Sequence, residues 1–417
     1  MKFFTAITLL LLLSGTLIVL PVLSSSSNTI TITSSGQILT PNVTAASGSA
    51  SDIQAAVDFI IAHGGIGNVS IPEGTFNFVE VGEPWQTVTV PAGINILGAP
   101  TERDADGQVI EWKTVLVMPW DVPGDDTVGI PSWFRINGNG DPNTPSRFSD
   151  IKLVGYRSIN PSSTSMHAAI SVVSVIDFRI DHCSFEHTTA GVRVGTEYLG
   201  TPRFRGVIDH CKLINLYGSP TPFESRNIDY GVHVFLEWHE NVWEPIEQVL
   251  GHYNDYTVFI EDCYFKKWRH CVCANNGGHF VFRYNTIEED FGYGSLDVHE
   301  YRTETSGRAA EIYNNIFSDP EEDWGKYAIK WRGGGGVAFN NIVTGYKRLA
   351  YLVENAEVQE ETYQPHDIWV WNNNLPGDCV DVSVDGDIQE GVHYWRNAPH
   401  TFNYIPYPYP HPLTLEE

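Results

Sequence analysis

The fold is decided by a six-residue unit that first reads Ile180-Asp-His-Cys-Ser-Phe185 and returns as Ile208-Asp-His-Cys-Lys-Leu213 and Ile260-Glu-Asp-Cys-Tyr-Phe265. It continues as Phe282-Arg-Tyr-Asn-Thr-Ile287, Ile312-Tyr-Asn-Asn-Ile-Phe317, Ala338-Phe-Asn-Asn-Ile-Val343 and Val370-Trp-Asn-Asn-Asn-Leu375. The fourth position gives the markers Cys183, Cys211, Cys263, Asn285, Asn315, Asn341 and Asn373, whose successive differences are 28, 52, 22, 30, 26 and 32 residues. Short strands and turns repeating at such a period are the signature of a solenoid, and the step of 52 holds one coil with an insertion. No unit can bury its apolar face alone. Stacking coils about 4.8 Å apart joins those faces into one core.

Stacking also explains the marker. Like positions lie above one another, so an Asn column can hydrogen-bond along the axis at a turn, and Cys can replace Asn where the marker points inward. The chain has six cysteines, Cys183, Cys211, Cys263, Cys271, Cys273 and Cys379, none at zinc-binding spacing. A buried column is the reading preferred over a disulfide framework.

Working outward, Asp52–His63 carries Ile53, Ala56, Val57, Ile60 and Ile61 at helical spacing, with Ser51 or Asp52 as N-cap and Gly64-Gly65 as the stop. Alternation then switches to a period of two in Asn68-Val-Ser-Ile-Pro-Glu-Gly-Thr-Phe76 and Val88-Thr-Val-Pro-Ala-Gly-Ile-Asn-Ile-Leu-Gly98. At the N-terminus, Lys2 precedes an apolar run from Phe3 to Leu23, which reads as a signal peptide or, uncleaved, as a membrane anchor. Ser24–Ser51 is Ser/Thr-rich and reads as a polar linker, and Asn42 and Asn68 match the N-glycosylation pattern. Export places the protein outside the cell, secreted or surface-anchored.

The helix ending in Gly-Gly, Ile71-Pro-Glu-Gly-Thr-Phe76 and the Ile-x-Asn-Asn-x-Phe units together resemble the pectin-lyase-like superfamily. The closing run Tyr404-Ile-Pro-Tyr-Pro-Tyr-Pro-His-Pro-Leu413 is similar to the C-terminal end of pectate-lyase-like secreted proteins. The resemblance spans roughly residues 52 to 413 and implies an all-β fold, a single-stranded right-handed parallel β-helix with an N-terminal capping α-helix. The expected division is residues 1–27 as signal peptide or anchor, 28–51 as linker, 52–398 as the β-helix, and 399–417 as a Pro/Tyr-rich tail packed on it. The superfamily holds lyases, hydrolases, epimerases, esterases and non-enzymatic adhesins, so fold alone leaves the reaction open.

A second strand follows each marker strand: Gly191–Gly195, Gly231–Phe235, His270–Ala274, Ser295–His299 and Ala328–Arg332. With Val192/Val194, Val232/Val234, Cys271/Cys273, Leu296/Val298 and Ile329/Trp331 inward, one outward column reads Arg193, His233, Val272, Asp297, Lys330. The next reads Gly195, Phe235, Ala274, His299, Arg332. This reading gathers Asp297, His299, Lys330 and Arg332 as candidate catalytic residues beside a floor of small side chains. Arg193, His233, Arg269, His270, Arg302 and Arg308 are candidate substrate-binding groups. Trp238 and Trp243, in the aromatic insertion Leu236–Asp255, are candidate stacking platforms or packing residues. The bland alternative is a solvated, charge-paired ladder. Gly333–Gly336 lacks the Lys-Ser/Thr of a phosphate loop and reads as a tight turn.

Charge bounds the ligand. With 25 Lys and Arg against 51 Asp and Glu, the formal net charge of −26 excludes nucleic acid as a partner and disfavours an acidic glycan unless a local basic cluster reverses the field. The partner expected is a polysaccharide or cell-surface glycan bound by a monomer, with membrane contact only through an uncleaved N-terminal segment.

Three functions fit. In β-elimination on a uronate glycan, Lys330 or His299 is the base and Arg332 or Lys330 the neutralising cation. The resemblance implies Arg or Lys in such roles, often with Ca²⁺ held by Asp; Asp297 and Glu300 are the candidate ligands. In glycoside hydrolysis, Asp297 with Glu300 or Glu311 would be the paired carboxylates, although the paired Asp motifs and Gly-His-Gly of polygalacturonases are absent. The third reading is a non-catalytic glycan-binding or adhesive surface solenoid. Lyase is the leading expectation.

Overall fold

The computed structural model describes residues 18–23, 27–32 and 41–415, apart from 106, 121–130, 157–166, 197–202, 216–229, 237–244, 289–293, 302–304, 320–326, 355–362, 376–379, 384–386 and 398–402. Each coil runs through three parallel sheets, here A, B and C, of fourteen, nine and ten strands. One coil is traced by Thr257–Glu261 in sheet A, Tyr264–Lys266 in sheet B and His270–Asn275 in sheet C, before His279–Arg283 re-enters sheet A. The sheets are parallel throughout except for Ile18–Leu23 and Ser27–Ile32, which pair antiparallel at one edge of sheet A. The interior is an apolar column from Val43 to Tyr394 that includes Phe148, Phe185, Phe265, Phe282, Phe317, Trp268 and Trp331.

The markers occupy the corner between sheets A and B, and backbone geometry dictates why. The residue before each marker is left-handed: His182, His210, Asp262, Tyr284, Asn314, Asn340 and Asn372 all have φ between 51° and 57°. That conformation turns the chain sharply and aims the marker side chain inward along the axis. Each Asn Oδ1 then accepts the marker N–H of the preceding coil. Cys263 N donates to Asn285 at 2.9 Å, Asn285 N to Asn315 at 2.9 Å, Asn315 N to Asn341 at 3.1 Å and Asn341 N to Asn373 at 2.9 Å. The column continues into thiols, with Cys211 N directed at Cys263 Sγ, 3.4 Å away. The five described cysteines are free and buried, as the column reading expects of Cys183, Cys211 and Cys263; Cys379 lies outside the described residues.

The helix is Ala50–Ala62, and its N-cap is Ser49, whose hydroxyl accepts from Asp52 N. The cap therefore lies two residues before the Ser51 expected from the apolar spacing. Ile53, Ala56, Val57 and Ile60 face the core, whereas Ile61 is 46 % exposed, because the stripe that meets the first coil is narrower than the run of apolar residues. The linker also ends early: Asn42–Thr44 is a strand of sheet A with Val43 and Ala45 buried, and Asn68 Nδ2 donates to Asn42 Oδ1 at 2.7 Å. Only part of the glycine run is a turn. Gly334–Phe339 is a sheet A strand, and Gly336, at φ 152°, leaves no room for a side chain because a Cβ would lie 2.0 Å from Ala310 O.

The C-terminal segment lies across the outer face of sheet A. Arg283 donates to Tyr407 O and Pro408 O at 2.6 and 2.9 Å, His411 N donates to Glu261, and Tyr404 Oη donates to Glu311 at 2.7 Å. Beneath it lie the buried Arg179–Asp209 and Arg283–Glu261 pairs, and the half-buried Arg147–Asp181 pair continues the ladder along sheet A. Sheet A is thus covered, and the outer faces of sheets B and C are not reached by this segment. The Asn column yields a direct test of the architecture. Asn315→Ala strands the N–H of Asn285 in the interior and should lower unfolding stability by about 2 kcal/mol in urea titrations. An unchanged midpoint would remove the column from the account of the fold.

Candidate functional site

Sheet C carries the site, and its register corrects one step of the sequence reading. The pairing sets Val192, Val232, Val272, Leu296 and Ile329 in one column and Val194, Val234, Ala274, Val298 and Trp331 in another, all buried. Val272 and Ala274 therefore face the core, and the outward neighbours on that strand are Cys273 and Asn275. The phase of His270-Cys-Val-Cys-Ala-Asn275 is ambiguous in sequence because both alternating sets are apolar. Pairing with Tyr230–Phe235 resolves it. The outer column accordingly reads Arg193, His233, Cys273, Asp297, Lys330, Tyr351. The expected floor of small residues is replaced by polar ones.

Asp297 is the centre of this face. It projects from the outer side of the sheet, yet it is 0 % exposed. Arg332, one coil on, grips it side-on, with Nε 3.1 Å from Oδ1 and Nη2 hydrogen-bonded to Oδ2. His270, one coil back, sets Nε2 3.2 Å from Oδ2 and donates Nδ1–H to Gly294 O at 2.6 Å. Burial alone would raise the Asp297 pKa, but Arg332, His270 and His299 outweigh it and hold the carboxyl well below the usual carboxylate range. His270 moves the other way. Burial, with Arg269 and Arg332 nearby, pushes it down to about 4 against the pull of Asp297.

A second polar group adjoins the first. His233 Nε2 lies 2.9 Å from Asn275 Oδ1, and Cys273 Sγ donates to the same oxygen at 3.2 Å. Burial and the positive charge of Arg193 push His233 down to about 3. The His233 ring stacks on Phe235, with centroids 5.0 Å apart, and the Arg193 guanidinium lies 4.6 Å from the centroid of that ring. Tyr230, paired with His270 in register, packs its ring against both His233 and His270.

The structure thus brings together Asp297, Arg332, His270, His233 and Arg193, with Lys330 and His299 half-buried on the same face. Arg269 enters electrostatically. Arg308 is buried, 4 % exposed, rather than presented. Glu311 is no partner for Asp297. It lies on sheet A, where it is bound by Gly251 N, His279 and Tyr404. Trp238, Trp243, Arg302 and the side chain of Glu300 lie outside the described residues. In the described part of the insertion, Tyr253 packs on Phe259 and donates to Asp177 at 2.9 Å, so it belongs to the sheet A face. A Ca²⁺ ion does not fit Asp297 as it stands, because both oxygens are engaged by Arg332 and His270. Among the described residues no group of three His, Cys, Asp or Glu side chains is spaced to hold a metal. Sequence reading missed Tyr230, Cys273 and Asn275. For Cys273 and Asn275 the reason is the ambiguous phase of their strand.

No protein-family model and no curated protein matches the chain. Solved structures do. An alginate lyase from a Paenibacillus species aligns at 12 % identity over 86 % of this chain and 96 % of its own, with a TM-score of 0.43. The A-module of a mannuronan C-5 epimerase from Azotobacter vinelandii aligns at 15 % identity over 85 % and 97 %, with a TM-score of 0.30. The tailspike protein of an E. coli bacteriophage in complex with a pentasaccharide aligns at 14 % identity over 82 % and 55 %, with a TM-score of 0.42. The chain itself folds as a parallel β-helix of three sheets. Among the described residues, the sheet C face carries titratable groups converging on Asp297, away from the C-terminal segment on sheet A.

Buried His233 gives a pH prediction. An unfolded His titrates at about 6.5, whereas His233 is held at about 3. Below pH 6.5 the unfolded chain binds a proton at this position that the folded one does not. This contribution to stability is therefore full above that pH and falls by about 1.4 kcal/mol per pH unit as pH drops towards 4. Urea midpoints measured between these limits should decline, and His233→Gln, which keeps a donor towards Asn275, should flatten the slope. A flat wild-type profile would show that His233 is not buried as described.

Proposed function

We propose that this protein is a polysaccharide lyase that cleaves a uronate-containing glycan by β-elimination on the outer face of sheet C. One observation carries the proposal: a wholly buried carboxylate, Asp297, holds the Arg332 guanidinium side-on next to Lys330. Elimination needs a fixed cation where the uronate carboxylate gains enolate charge, and a base near the carbon beside it. Arg332 supplies the cation. Its Nη1 edge lies away from Asp297, and a guanidinium matches a carboxylate with two parallel donors. Lys330, as its neutral amine, takes the proton from the carbon next to the carboxylate. The released electron pair forms the carbon–carbon double bond as the bond to the departing sugar oxygen breaks, and the Lys330 ammonium returns its proton to that oxygen. His299 lies in the same outward column as Arg332 and is the alternative base. Asp297 is a positioning residue.

Local charge supports an acidic substrate despite the net charge of −26. Arg332 and Arg269 lie around the Asp297–His270 pair, Arg193 stands three coils back in the same outer column, and His233 is neutral. Hydrolysis is less well served. A general acid needs a raised pKa, whereas Asp297 is held ionised, and Glu311 belongs to another sheet.

Purified protein incubated with a panel of polyuronates should release products with the ultraviolet absorbance of an unsaturated uronate. Lys330→Ala and Arg332→Ala should each lower that rate by at least about a hundredfold with the fold intact. Asp297→Asn should cost about tenfold by loosening Arg332. Since no step runs through a metal, EDTA should leave the rate unchanged. Reducing ends without the unsaturated product would replace the lyase by a hydrolase. No product of either kind would leave a glycan-binding solenoid.

A further inference from the structure

Asn275 stands one coil before Asp297 on the outer face of sheet C, and its side chain is oriented from behind. Two buried groups converge on its oxygen: His233 Nε2 at 2.9 Å and the Cys273 thiol at 3.2 Å. The other ring nitrogen of His233 is buried without a hydrogen-bond partner. An orphaned N–H in the interior is rarer than an orphaned acceptor, so the proton resides on Nε2 and is donated to Asn275. A thiol can likewise only be the donor to a carbonyl oxygen at that distance. Asn275 Oδ1 is therefore fixed as a double acceptor, which fixes the amide nitrogen on the opposite side.

That nitrogen has no acceptor among the described residues, although the side chain is 7 % exposed and the face around it is densely paired. Two aligned N–H groups at the edge of the Asp297–Arg332 pair are a receptor for an anionic or hydroxyl oxygen. Cys273 pairs in register with Asp297, and Arg332 leans back one coil to reach that carboxylate. The guanidinium and the Asn275 amide thus fall on neighbouring rungs about 4.8 Å apart, within the span of one sugar unit.

We infer that Asn275 is a substrate-contact residue that donates its amide N–H groups to a uronate carboxylate beside Arg332, and that His233 and Cys273 are the positioning residues that hold it in that orientation. The inference rests on the polyuronate reading of this face, but not on elimination as its chemistry. A neutral donor here adds recognition of the carboxylate without adding a further charge to a buried cluster that already holds two guanidinium neighbours, Arg269 and Arg332.

The decisive variant is Asn275→Asp, which keeps the oxygen that His233 and Cys273 address and replaces the outward donors by a second acceptor. Binding is measured by calorimetry in a Lys330→Ala background, so that turnover does not interfere, with a polyuronate and its carboxyl-reduced, neutral counterpart. Asn275→Asp should weaken polyuronate binding by at least about tenfold while the reduced glycan stays within about twofold, and Asn275→Ala should weaken polyuronate binding by about tenfold. Should the Asp variant fail to fold, as judged by circular dichroism, the Ala variant reads the same difference. Unchanged polyuronate binding in both variants, or equal losses on the two glycans, would overturn the role of Asn275. If polyuronate binds in an Asn275-dependent way but the wild type releases no unsaturated product, the lyase reading falls and the contact stands. If the wild type is an active lyase and the variants bind normally, the contact falls alone. If the Lys330→Ala parent binds neither glycan, both are lost.

Discussion

Everything in this molecule depends on successive coils being held in register, and the side chain-to-backbone hydrogen bond at the corner between sheets A and B is what holds them there. Ladder bonds between parallel strands are satisfied equally well after a slip of two residues, so they do not select one register by themselves. The left-handed residue followed by an inward Asn or Cys does select one, because a slip would leave the marker N–H without an acceptor in the interior. From Cys183 to Asn373 that condition is met coil after coil, by a thiol in the first half and an amide in the second. The apolar stacks of Phe and Trp follow from it, as does the alignment of outward residues into columns.

The outer faces of the sheets use that alignment differently. On sheet A, acidic and basic residues pair along the axis and are then covered by the C-terminal segment, with Tyr404 and His411 closing over Glu311 and Glu261. Charges there are matched and shielded, which is a structural arrangement. On sheet C the charged groups lie at different depths. Asp297 is sealed by Arg332 and His270, while Lys330, Arg332 and His299 remain half-buried at the surface. A buried carboxylate on an outward position is expensive unless paired, and the pairing fixes a guanidinium in place. Rigid cations on a regular scaffold are what an elimination site requires.

Much of this was legible from residue pattern. The markers at 183, 211, 263, 285, 315, 341 and 373 located the coils from Ile180 to Leu375, and strand alternation placed Arg193, His233, Asp297, Lys330, His299 and Arg332 on outward positions. Where alternation failed, it failed for one reason. In His270-Cys-Val-Cys-Ala-Asn275 each second residue is apolar in either phase, so side-chain chemistry alone cannot say which set faces inward. The same limit applies to Glu311, whose proximity in sequence to Glu300 concealed that a sheet boundary lies between them.

The sequence by itself determined the solenoid, its period and the corner that repeats, because those depend on local backbone preference and on apolar residues at a fixed spacing. Only the tertiary structure decided which side chains meet. The contact of Arg332 with Asp297 spans 35 residues and that of His270 with Asp297 spans 27, across coils whose loops vary in length. Whether Asn275 faces the core or the ligand is settled by the strand beside it, since a β-strand carries no information about which of its two faces will be covered until its neighbours have formed.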